Sequence, residues 1–113
     1  MKLKDILKPK SEEEIIPLMD TLSPDDLLIQ SSEAGFLIGV KKALKMGADV
    51  HAKDDYALQM ASFDGHLPVV KLLLKNGADV SRYNYYALRW ATTNGHHDVV
   101  ELLKEYKAYE PLM

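Results

Sequence analysis

A period of 30 residues, repeated without drift, constrains this chain more than any single residue in it. Gly47-Ala48-Asp49-Val50 returns as Gly77-Ala78-Asp79-Val80, Tyr56-Ala57-Leu58 as Tyr86-Ala87-Leu88, and Gly65-His66 as Gly95-His96. Val69-Val70 and Leu72-Leu73 return at the same offset. Residues 47–76 and 77–106 share 14 identities in 30, where unrelated sequences share about 2. Such similarity marks a stack of supersecondary units that bury apolar faces against their neighbours instead of closing into one globule.

The central unit shows the plan. Residues 56–63 form a short helix with Leu58 and Ala61 on one face and Met60 at its border, broken by Asp64-Gly65. A second helix follows over residues 67–75: Leu67, Val70 and Leu74 stand at i, i+3 and i+7, with Val69 and Leu73 widening the stripe. Pro68 fits its first turn, and Gly77 suits the left-handed residue that ends a helix. A degenerate copy precedes it, since residues 17–46 keep 9 identities with 47–76: Asp25, Leu28, Ser32, Gly35, Leu37, Val40, Lys41, Leu44 and Lys45. Helix pairs are expected at about 23–46, 54–76 and 84–106. In the last unit His97 replaces Leu67, Lys104 replaces Leu74 and Lys107 replaces Gly77. These changes make an outer face wettable, as the end of a stack requires.

Residues 1–22 read as an N-terminal capping segment, and 23–113 as the array with a short tail. Leu3, Ile6 and Leu7 give residues 1–10 one sticky helical side, with Pro9 as a stop. Ser11-Glu12-Glu13-Glu14 has the form of a capping box. Ile15, Leu18, Met19 and Leu22 supply a buried stripe, which Pro17 must kink or delay. Ser23-Pro24-Asp25-Asp26 opens the next helix with serine as N-cap.

The glycine-led turn, the inter-helix Gly-His and the Val-Val-x-Leu-Leu second helix together resemble the ankyrin repeat family over about residues 23–110. The resemblance implies an all-α solenoid of stacked helix-turn-helix repeats. Its usual repeat is about 33 residues; the three missing here fall between Val50 and Tyr56 and between Val80 and Tyr86, so the hairpin fingers should shrink to stubby loops. Tyr56-Ala57-Leu58-Gln59 and Tyr86-Ala87-Leu88-Arg89 replace the family's Thr-Pro-Leu-His, losing a threonine cap that Asp54 or Asp55 and Asn84 could supply. The 30-residue variant resembles arrays of large DNA viruses and phages, which implies a viral or phage effector in a host cytoplasm. By the same resemblance His66 and His96 brace the loops between units.

Chemistry finds little foothold. Cysteine is absent, which removes thiol catalysis and disulfides and suits a cytoplasmic location. The net charge of −3 with interspersed signs lacks the basic surface of a nucleic-acid binder, and no apolar run is long enough to span a membrane. No phosphate loop or activated nucleophile is present, and no cofactor is expected. His96-His97-Asp98 is the alternative, a metal or enzymatic site, but neighbouring helical residues point about 100° apart and no third ligand is spaced to join them. Trp90, one residue before Ala91, reads as core, and Tyr56 and Tyr86 as stacked on one another.

The resemblance therefore implies a non-catalytic module that binds a partner protein through its concave loop and inner-helix surface. Aromatic residues that break the repeat, Phe63, Tyr83 and Tyr85, mark that surface, together with Glu33, Asp55, Asp64, Arg89, Thr93 and Asn94. A monomer is expected, with self-association through the N-terminal helix as the alternative.

Overall fold

The structure is a computed structural model that describes residues 11–108. The expected helix of residues 1–10 and the tail of 109–113 lie outside the described residues. Helix α1 (Glu12–Ile15) runs into a 3-10 turn (Ile16–Leu18), followed by α2 (Pro24–Ala34), α3 (Leu37–Lys45), α4 (Ala52–Phe63), α5 (Leu67–Lys75), α6 (Arg82–Thr93) and α7 (His97–Ala108). The first helices α2, α4 and α6 pack side by side, and the second helices α3, α5 and α7 form a row behind them.

Apolar periodicity explains this stacking. Leu28, Leu58, Val40, Val70, Leu73 and Leu103 are essentially inaccessible to solvent, and Ala57, Ala61, Ala87 and Ala91 let the first helices approach closely. Burial of each such Leu or Val side chain stabilises by roughly 1.5–3 kcal/mol. At the C-terminal end the expected wettable face is present: Leu74 is buried, whereas His97 and Lys104 are exposed.

The glycine-led turns have a physical reason for each residue. Gly47 and Gly77 adopt φ +93° just past a helix, the left-handed position that glycine takes without strain. Asp49 and Asp79 each fold back to accept a backbone N–H two residues on, at His51 and Ser81. Val50 and Val80 then enter the core.

Local expectations are corrected at Ser11 and in the shortened fingers, while Pro17 interrupts its helix as expected. Ser11 does not close a capping box: its hydroxyl turns to the Glu14 carboxylate at 3.5 Å, while its backbone carbonyl takes the N–H groups of Glu14 and Ile15. Pro17 ends α1 at Ile15 and holds the next residues in the 3-10 turn, because it cannot donate an α-helical hydrogen bond. The shortened fingers are more than plain loops. Lys53, Asp54 and Asp55 (φ +51° to +61°) and Tyr83, Asn84 and Tyr85 (φ +54° to +61°) each form one left-handed turn inside the α4 and α6 runs. Side chains hold these turns from outside, Gln59 donating to the Asp54 carbonyl and Arg89 to those of Asn84 and Tyr83. Asp54 and Asn84 thus contribute backbone acceptors, not the side-chain caps expected of them. Ser23 does cap α2, accepting from the Asp26 N–H at 3.2 Å.

Candidate protein-binding surface

Two sets of polar contacts position the first helices. Asp25 accepts from the Asp49 N–H at 2.8 Å and Asp55 from the Asp79 N–H at 2.9 Å, tying each unit to the turn that follows it. Asp55 is fully buried; Arg82 Nε and Nη2 both donate to it at 3.2 Å, and His51 Nδ1 lies 2.9 Å from Oδ1. His66 Nε2 donates to the Glu33 carbonyl at 3.0 Å and His96 Nε2 to that of Phe63 at 2.9 Å. Their rings lie against Gly35 and Gly65, where any Cβ would collide with them.

Held this way, the first helices carry a continuous strip of aromatic rings across the unit boundary. The Trp90 ring lies 5.3 Å from Phe63 and 6.0 Å from Tyr86, both tilted, within the range of favourable aromatic pairs. Arg89 stands 5.9 Å over Tyr86. The Tyr83 hydroxyl donates to Asp54 at 2.7 Å, tying the second left-handed turn to the first. At the other edge Glu33, Tyr56 and Asp64 gather. Burial, then the Tyr56 hydrogen bond acting against it and the charge of Asp64, leave the Glu33 carboxyl above its ordinary value. Burial, followed by the Glu33 charge, likewise raises the Tyr56 hydroxyl.

Residues 28–111 match the family model for ankyrin repeats, in three copies. The chain belongs to the ankyrin repeat family. No curated protein matches it. Ankyrin repeats generally mediate protein–protein interaction and are generally non-catalytic.

On this ankyrin array the residues expected at a partner surface divide. Phe63 and Arg89 share the strip, and Tyr83 is exposed on the left-handed turn; Glu33 and Asp64 flank the strip; Thr93 and Asn94 are exposed beside it, with Asn94 bonded to the Phe63 carbonyl at 3.0 Å. Asp55 does not belong, since its carboxylate is buried and occupied by its neighbours. Tyr85 is half-buried against the core, with Lys107 Nζ 4.5 Å over its ring.

The strip also has members that the repeat pattern does not mark. Trp90 stands outside the apolar core and Tyr86 packs on it. One residue before Ala91 is a rotation of about 100°, enough to carry the indole from the core to the open face. His96 is spent on the Phe63 carbonyl and Asp98 accepts from the Val99 N–H; among the described residues no group of three potential metal ligands converges. No described helix is long and apolar enough to cross a membrane.

Proposed function

We propose that this ankyrin array is a non-catalytic, cytoplasmic binding module that grips one partner protein on the first-helix surface, the concave side of the solenoid. Trp90, Phe63 and Tyr86 form the centre of the contact; Arg89, Tyr83, Thr93 and Asn94 lie beside it, and Glu33 and Asp64 at its acidic edge. One observation carries the reading: a tryptophan left half-buried outside the core, with two aromatic rings packed against it at 5.3 and 6.0 Å. Tryptophan, tyrosine and arginine are where interface energy concentrates, and rigid rings lose little entropy on binding.

The experiment is capture of the partner by the full chain, followed by affinity measurement with single substitutions. Trp90→Ala and Phe63→Ala are each expected to weaken binding by about 1–3 kcal/mol. Unchanged affinity in both would remove the proposal. A viral or phage effector would use the same surface to block one host protein. Recovery of a single host factor supports that role, and recovery of several proteins of the source organism supports an adaptor.

A further inference from the structure

We infer that the second-helix row of the first two units carries a separate docking site for an acidic amphipathic helix of a partner protein. Helices α3 and α5 contain no Asp or Glu at all. Between them runs a groove of about 290 Å³ with a floor of Leu37, Leu67, Pro68 and Leu72. Lys41 stands on one side and Lys71 and Lys75 on the other. Lys45 repeats on α3 the register of Lys75. Lys42 is neutralised by Asp20 at 2.7 Å. The other four are exposed and make no ion pair among the described residues.

This concentration of charge in a chain of net charge −3 is local. Glu101 and Glu105 occupy in α7 the register of Lys71 and Lys75, and His97 that of Leu67, so the site stops at the second unit. Lysines four apart lie about 6 Å apart along a helix axis, the spacing of carboxylates four apart on a helix laid in the groove. The apolar floor would take that helix's hydrophobic ridge. A lipid headgroup layer or a phosphate backbone would leave the recessed floor unfilled.

The test is amide chemical-shift mapping on the full chain with defined probes. These are a synthetic helix with leucines at i, i+3, i+4 and i+7 flanked by glutamates, the same peptide with lysines for glutamates, polyglutamate, and phosphatidylserine vesicles. The acidic amphipathic peptide should shift Leu37, Lys41, Leu67, Lys71 and Lys75, and Lys71→Glu with Lys75→Glu should weaken it at least about tenfold. The lysine peptide should not bind. The inference is overturned if the acidic peptide causes no shifts there, if it shifts Phe63 and Trp90 instead, if polyglutamate binds equally well, or if only vesicles bind in a lysine-dependent way.

Discussion

The buried Asp55 carboxylate accepts the Asp79 N–H at 2.9 Å, as the exposed Asp25 carboxylate, one period earlier, accepts that of Asp49 at 2.8 Å. The difference in burial sets different costs. Asp55→Ala strands the Asp79 N–H and the Arg82 guanidinium and should lose about 2–3 kcal/mol. Asp25→Ala, in water, should lose about 1 kcal/mol or less. Urea unfolding of the two variants measures both; equal losses would contradict the buried, multiply bonded state of the Asp55 carboxylate.

Gly65 and Gly95 share φ +75°, so alanine at either meets the left-handed penalty of roughly 1–2 kcal/mol. Only at Gly65 would the new Cβ also strike a ring, 2.7 Å from His96 Cε1; Gly95 faces open space. Gly65→Ala should therefore lower the unfolding midpoint clearly more than Gly95→Ala. Identical midpoints would show that the histidine does not pack on the glycine.

The left-handed turns place six non-glycine residues at positive φ. Lys53 is exposed, and its backbone conformation costs more than glycine's would. Lys53→Gly should raise stability by about 0.5–1 kcal/mol, the relief of strain exceeding glycine's added unfolded-state entropy. A loss in thermal unfolding would mean that the turn is not left-handed there.

Acid response should separate two groups of opposite sign. The Ser81 hydroxyl holds Asp79 below its ordinary value of 3.8, and Lys42 does the same for Asp20. Their stabilisation is complete above 3.8 and is lost as pH falls through the lower folded values. Glu33 is shifted upward by burial, so its contribution is complete below 4.5 and is lost as pH rises through the raised folded value. Urea midpoints against pH should show Asp79→Asn flattening the acid limb, and Glu33→Gln gaining on the parent as pH rises above 4.5 through the raised folded value. A Glu33→Gln advantage that is the same at every pH would contradict the second assignment.

Much of the fold is legible in the chain because the 30-residue period places apolar side chains in register, and Gly77 and Ser23 act through local backbone chemistry. The left-handed turns are not, because Lys53, Asp54 and Tyr83 carry no glycine-like mark of positive φ. Trp90 reads as core because its partner Phe63 lies in the preceding unit, and a rotation of about 100° on a short helix separates core from open face. Asp55 reads as surface because carboxylates are rarely buried without partners. Its repetition as Asp25 is the available signal, since a residue kept between units marks the contact that joins them.

Site-specific photocrosslinking tests the central claim most directly, because it works on a partner that is still unidentified. A benzophenone side chain is placed at exposed Tyr83 or Thr93, beside the aromatic strip, and in a control at exposed Lys104 on the last unit's outer face. Irradiation in cell extract should give the same covalent adduct from positions 83 and 93 and none from 104, with Trp90→Ala suppressing it. An adduct formed from 104 alone would contradict the account.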